Sequence, residues 1–117
     1  MTDINRYRKN QRMSQIVVHN ELVYLAGQVA STAPGESIET QTKNVLDKID
    51  TYLNEVGSHK GNILSANIWL SSIKDFDSMN KIWDQWFDAE NPSISACVQS
   101  KPASEKFIVE ISIVAKL

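Results

Sequence analysis

The sequence predicts one α+β domain, with two helices on one face of a single mixed β-sheet. The chain has 117 residues, a length that supports one hydrophobic core. Apolar residues alternate with polar ones in several short segments and recur every three or four residues in two longer ones, which indicates strands and helices respectively. The last segment is apolar on both faces, which favours a central strand. We therefore expect residues 1–117 to form a single domain.

The first two strands are predicted to form a hairpin. Residues 15–19 and 22–26 are rich in β-branched and aromatic side chains, and Asn20 begins the break between them. Gly27 ends the second run, and the turn-forming residues 31–35 follow it.

Two amphipathic helices are predicted. The first has an apolar stripe of about five turns between Ser37, a suitable N-cap, and Gly57, a suitable residue just beyond the end. The second opens at Asp75, carries its own apolar stripe and is stopped by Asn91 and Pro92. Each helix has one apolar face, so both must pack against the sheet.

Three further strands complete the predicted sheet. Residues 64–71 alternate with a period of two, and residues 94–100 and 107–117 follow the second helix. The final strand keeps Ile108 and Val114 on the face that two helices cannot cover. That face requires cover, and another copy of the chain provides it. We therefore predict a homo-oligomer.

The charge of the chain disfavours nucleic-acid partners. The net charge is −2 at pH 7 and the isoelectric point is about 5.6, so the chain lacks the positive potential that drives most nucleic-acid binding. Its one basic cluster is predicted to be a solvated N-terminal arm. The cluster consists of Arg6, Arg8, Lys9 and Arg12.

No metal, cofactor or membrane role is predicted. Cys97 is the only cysteine, and His19 and His59 are far apart, so no zinc-binding spacing exists. No Gly-rich phosphate loop is present, and no segment approaches the ~20 apolar residues that span a bilayer. A single cysteine fits a reducing compartment, and we expect a cytoplasmic protein.

Glu110 interrupts the apolar final strand and is the main candidate functional residue. An unpaired carboxylate on an enclosed strand is costly or becomes protonated, and such a group can hold a water or exchange protons with a substrate. Alternatively, Glu110 lies on a solvated rim or pairs with Lys101 or Lys106. Cys97 is either a small core residue or a thiol that lines a pocket.

Several short motifs resemble those of one family. They are Leu25-Ala26-Gly27-Gln28-Val29, Leu46-Asp47-Lys48-Ile49, Asp75-Phe76-Asp77-Ser78-Met79-Asn80, Ala96-Cys97-Val98-Gln99 and Val109-Glu110-Ile111-Ser112-Ile113-Val114-Ala115. Together they resemble the RidA/YjgF family of reactive-intermediate deaminases over residues 15–117. The stretches around the tryptophans are similar to the YoaB-like branch of that family.

This resemblance implies a chorismate-mutase-like fold, assembled as a homotrimer around a central β-barrel, with three clefts between subunits. In active members each cleft hydrolyses enamines and imines released by pyridoxal-phosphate enzymes, giving 2-oxo acids and ammonia. The implied ligand is a 2-imino acid, a 2-oxo acid or a related metabolite. By position, Glu110 matches the glutamate that positions the attacking water, and Gly27, Asn80 and Cys97 match ligand-binding positions.

The chain departs from the family at the arginine that binds the substrate carboxylate. The family has Pro-Ala-Arg before the Ser/Cys-Val strand, whereas this chain has Ser93-Ile94-Ser95, so Ser95 takes the place of the arginine. A guanidinium offers two hydrogen bonds and a charge, while a serine offers one neutral hydrogen bond. Arg12 is the candidate replacement for the lost charge, although an N-terminal arm positions a donor poorly.

Three functions follow from these observations. The first is a weak or altered 2-imino or enamine acid deaminase, a hydrolase that uses Glu110. The second is a trimer whose clefts bind a metabolite without turnover. The third is an RNA-directed role, suggested by the older family labels of translation initiation inhibitor and endoribonuclease, which the net charge disfavours.

Overall fold

A computed structural model describes residues 3–117 and contains one sheet and two helices. The strands are β1 (Asn5–Lys9), β2 (Ser14–His19), β3 (Leu22–Leu25), β4 (Gln28–Val29), β5 (Ile63–Leu70), β6 (Ile94–Gln99) and β7 (Val109–Lys116), and the helices are α1 (Ile38–Glu55) and α2 (Phe76–Trp86). The predicted order of elements is confirmed, with β1 and β4 as additional strands. Neither helix in this part of the chain has the length and hydrophobicity needed to cross a bilayer.

Strand β7 lies in the middle of the sheet, as its two apolar faces predicted. The strand order is β1-β2-β3-β7-β5-β6, and β4 also pairs with β7. Strands β5 and β6 are parallel and the other pairs are antiparallel, so the sheet is mixed. Asn20 and Glu21 make the predicted hairpin turn with φ angles of 51° and 64°, which suit the twist of the two strands.

Helix α1 has the predicted ends. The Oγ of Ser37 accepts a hydrogen bond from the Thr40 amide at 3.2 Å, and Gly57 follows the helix with φ 85°. Both helices pack on one face of the sheet, where the apolar stripe of α1 is buried. The core therefore lies between the helices and this single face.

Helix α2 ends at Trp86, before the stop predicted at Asn91 and Pro92. Asp88 begins a separate turn, because its carboxylate accepts hydrogen bonds from the Glu90 amide at 3.0 Å and the Asn91 side chain at 2.9 Å. This local alternative to helical bonding shortens the helix.

The N-terminal basic cluster contains a strand where the sequence predicted an arm. Strand β1 pairs with β2, and Arg8 Nε donates a hydrogen bond to Glu55 Oε1 at 2.8 Å. The Arg8 guanidinium also lies 4.6 Å from the centroid of the Tyr52 ring. Residues 5–9 therefore form an edge strand rather than a free arm, and their basic side chains, Arg6, Arg8 and Lys9, are exposed as predicted.

The two faces of β7 differ in their cover. The side chains that point towards the helices are buried: Val109, Ile111, Ile113 and Ala115. The alternating side chains, Glu110, Ser112 and Val114, lie on the opposite face, here called the open face, and are half-buried. Sheet register places Tyr24 and Val98 on the open face, 41% and 49% exposed. Within residues 3–117, this second face has no helix over it.

Candidate functional site

Glu110 lies on the open face near the start of β7. It is in register with Trp69 of β5 on one side and with Val29 of β4 on the other. Its side chain is half-buried because neighbouring strands and loops surround it, although no helix covers this face. The acid that interrupts the apolar strand therefore lies on a central strand of the sheet, one residue from the start of that strand.

Gly27 approaches the Glu110 carboxylate closely. A Cβ atom placed on Gly27 would overlap Glu110 Oε2 and would lie 2.9 Å from Cδ. The carboxylate thus rests directly against the backbone of the segment between β3 and β4. A residue without a side chain is required at position 27 for this contact.

A pocket of about 200 Å³ opens beside Glu110. It is lined by Trp69, Ser100, Lys101, Pro102, Ala103 and Glu110. Neither Lys101 nor Lys106 forms an ion pair with Glu110, since the one ion pair within residues 3–117 joins Arg8 to Glu55. The pairing considered for Glu110 as an alternative is therefore absent, and the carboxylate faces a cavity that can admit a small molecule.

Ser95 and Cys97 lie on β6 and face away from Glu110. They pair in register with Ala66 and Ile68, whose side chains are buried beneath the helices. Cys97 is half-buried and packs against the core, and this burial raises the pKa of its thiol. One chain thus places these two residues and Glu110 on opposite faces of its sheet.

Asn80 and Arg12 are also apart from Glu110. Asn80 is half-buried on α2, on the helix-covered side. Arg12 is exposed in the turn between β1 and β2, where its amide donates a hydrogen bond to Asn10 Oδ1 at 2.7 Å. The turn backbone is thus held by hydrogen bonds, and the Arg12 side chain lies in solvent.

Gln41 anchors the loop that leads into β7. Its side chain is fully buried, its Nε2 donates to the Lys106 carbonyl at 2.9 Å, and its Oε1 accepts from the Ile108 amide at 3.0 Å. Nε2 also donates to the Glu36 carbonyl at 3.2 Å. Helix α1 therefore fixes the backbone just before Glu110.

Sequence reasoning missed Trp69 and Lys101 as neighbours of Glu110 in a pocket. Lys101 was considered only as a partner that would neutralise the acid, and Trp69 was not considered as a site residue. The signal that could have found them is the pairing of β5 with β7, which aligns Trp69 with Glu110. Among residues 3–117, no group of three or more His, Cys, Asp or Glu side chains is arranged to hold a metal ion.

Comparison with known proteins gives a consistent family. The family model described as Endoribonuclease L-PSP matches residues 4–117. A RutC family protein from Haemophilus influenzae is 41% identical, with 96% of this chain and 97% of that protein covered. The RutC family protein YoaB from Escherichia coli K12 is 39% identical, with 96% of each chain covered. A crystal structure of a YjgF family member from Neisseria meningitidis superposes with a TM-score of 0.92 at 38% identity, covering 97% of this chain and 94% of that one.

Proposed function

The chain belongs to the RidA/YjgF (endoribonuclease L-PSP) family, and on that basis we propose that it is a cytoplasmic homotrimer whose interface clefts hydrolyse 2-imino and enamine acids weakly or with altered specificity. The observation that carries the proposal is the Glu110 carboxylate, which is half-buried, has no ion-pair partner and borders a pocket. A carboxylate in that situation can bind a water and accept its proton.

The proposed reaction uses Glu110 as a general base. A water held by the carboxylate attacks the imine carbon, and its proton passes to Glu110 as the C–O bond forms. The same proton then moves to the imine nitrogen and gives a tetrahedral carbinolamine. Glu110 next takes the proton of the new hydroxyl group and passes it to the nitrogen as the C=O bond forms and the C–N bond breaks, so that ammonia and a 2-oxo acid leave and the carboxylate is restored. Positioned proton transfer of this kind contributes about 10²- to 10⁴-fold in rate.

A neighbouring subunit is needed to complete this cleft. Within one chain, Ser95 and Cys97 lie on the face opposite Glu110, so they can meet a ligand of Glu110 only across an interface. The exposed Val98 and Tyr24 on the open face favour such an interface, because burial of apolar surface drives association. We therefore assign Glu110 and Gly27 to one wall of the cleft, and Ser95, Cys97 and Asn80 of the next copy to the other.

The expected weakness of the activity follows from Ser95. Replacing a charged, two-bond clamp by one neutral hydroxyl removes orientation as well as charge. A loss of about 3 to 4 kcal/mol would reduce catalysis ~100- to 1000-fold. This cleft is therefore consistent with slow turnover of the 2-imino and enamine acids that active family members use, and equally with a preference for other substrates.

The test couples generation of 2-aminoacrylate or 2-iminobutanoate to the measurement of ammonia release. We expect the parent protein to exceed a Glu110→Gln variant by at least about 100-fold, while Glu90→Gln, which alters an exposed carboxylate in the turn after α2, keeps the parent rate. Equal rates for the parent and Glu110→Gln would exclude the deaminase.

That result would favour the second candidate, a trimer that binds a metabolite without turnover. The replacement at Ser95 supports this alternative, and calorimetry with small acids and their neutral amides would measure it. An RNA-directed role is disfavoured by the net charge of −2. Ribonuclease activity that survives high-salt purification and is lost in Glu110→Gln would support it instead.

A further inference from the structure

Among residues 3–117, Lys101 is the one cationic side chain that lines the Glu110 pocket. The pocket of about 200 Å³ is lined by six residues, of which Lys101 and Glu110 alone are charged. This volume is below the roughly 300 to 1,000 Å³ of pockets for drug-sized ligands. The site therefore suits a small molecule that carries an acidic group and a second polar group nearby.

Neither charge in the pocket is neutralised by the other. Within residues 3–117 the single ion pair joins Arg8 to Glu55, so Lys101 and Glu110 have no ion-pair partner in this part of the chain. Lys101 also borders an adjoining pocket of about 230 Å³ with Glu105, again without an ion pair. An ammonium and a carboxylate that share a cavity without pairing are both available to a ligand.

The backbone on both sides of Lys101 is constrained. The Ser100 amide donates a hydrogen bond to the Leu70 carbonyl at 2.8 Å, which ties the end of β6 to the end of β5. Pro102, half-buried, follows and fixes its own backbone angle. The backbone at Lys101 is thus fixed at the mouth of the pocket, and its side chain is exposed to solvent there.

We propose that Lys101 binds the carboxylate of the ligand in this cleft and supplies the charge that Ser95 does not. The inference rests on the proposed function for the identity of the cleft. The ligand class is a small monocarboxylate whose imino, amino or carbonyl group lies within reach of Glu110. Lysine acts as a compact point charge with three donors and lacks the planar fork of arginine. Binding is therefore selective for acids but orients them less strictly, which matches a cleft of altered specificity.

The test is calorimetry with 2-oxobutanoate and its neutral amide, 2-oxobutanamide, in the absence of turnover. We expect the parent to prefer the acid, and Lys101→Met to weaken acid binding at least ~10-fold, a change of about 1.4 kcal/mol, and to leave amide binding unchanged. Lys101→Arg keeps the preference. Lys106→Met, which removes an exposed lysine of the same loop, behaves as the parent. Raising the salt concentration weakens acid binding in the parent more than in Lys101→Met.

Three outcomes would overturn the assignment: equal acid binding by the parent and Lys101→Met, equal binding of acid and amide by the parent, or no acid binding by the parent. Different results would contradict the deaminase proposal and the Lys101 assignment. If Glu110→Gln releases ammonia as fast as the parent while Lys101→Met still loses acid binding, only the proposed chemistry is wrong. If Glu110-dependent ammonia release persists with an unchanged KM in Lys101→Met, only the lysine assignment is wrong.

Discussion

The carboxylate of Glu110 occupies the space where a side chain at Gly27 would stand. A Cβ atom on Gly27 would overlap Oε2 and lie 2.9 Å from Cδ and 3.2 Å from Cγ. The constraint is one of close approach, because Gly27 is not among the residues with positive φ. Two segments distant in sequence thus define one wall of the proposed cleft.

Gly27→Ala should therefore impair function more than stability. The flexible end of Glu110 can swing aside, so we expect the free energy of unfolding to fall by at most about 1 kcal/mol. Moving the carboxylate by about 1 Å should lower ammonia release by about 100-fold. Urea unfolding and the coupled ammonia assay measure the two effects. In a Glu110→Ala background the same change should have no further effect on the rate; a Gly27→Ala protein with the parent rate would contradict the prediction.

Much of the fold could be predicted because its signals are local. Ser37 and Gly57 mark the ends of α1 by hydrogen-bonding and backbone preferences of their own, and Asn20 marks the hairpin turn. Strand β7 was placed centrally because both of its faces are apolar. The positions of β1 and of the end of α2 could not be obtained this way. Strand β1 depends on pairing with β2, whereas its sequence alone indicated a polar arm. The end of α2 depends on the turn made by Asp88, whereas the sequence alone indicated a stop at Asn91 and Pro92.

The candidate site could be predicted only in part. Glu110 stood out because an acid interrupts an apolar alternation. Its distance from Lys101 depends on the path of the loop after β6, and its neighbour Trp69 depends on strand register. Likewise, the sequence gives no sign that Ser95 faces away from Glu110, because faces of different strands are related only through pairing.

Gln41 and Thr42 provide a matched pair of buried polar residues. Both are fully buried, but Gln41 forms hydrogen bonds with three backbone groups, whereas the Oγ1 of Thr42 has no hydrogen-bond partner within residues 3–117. Gln41→Leu leaves buried backbone groups unpaired and should lower the free energy of unfolding by about 2 to 4 kcal/mol. Thr42→Val should change it by no more than about 0.5 kcal/mol, or raise it. Urea denaturation tests both, and equal destabilisation by the two substitutions would contradict this account.

Val98→Asp should dissociate the proposed trimer. Val98 is 49% exposed on the open face, and an aspartate buried there by a neighbouring copy would lack a partner. Light scattering after size exclusion should show a shift from three chains to one. Ile73→Asp is the matched control, since Ile73 is 47% exposed but lies in the short turn before α2, off the sheet. A trimeric Val98→Asp protein, or a monomeric parent, would refute the assignment of the open face.

The turn after α2 should make the free energy of unfolding depend on pH in the acid range. Hydrogen bonds from the Asn91 side chain and the Glu90 amide lower the pKa of Asp88 below its ordinary value. Because this pKa is lower in the folded chain, the unfolded chain binds the proton more readily. The stabilisation is therefore present above the ordinary aspartate pKa of about 3.9, and it is lost as the pH falls through the pKa that Asp88 has in the folded chain. Asp88→Asn should flatten this acid dependence, which urea midpoints measured from about pH 6 down to about pH 3 would reveal. Asp84→Asn, at an exposed position on α2, is the matched carboxylate control. If the Asp88→Asn protein loses as much stability in acid as the parent does, the hydrogen-bonded turn is not the source of the acid dependence.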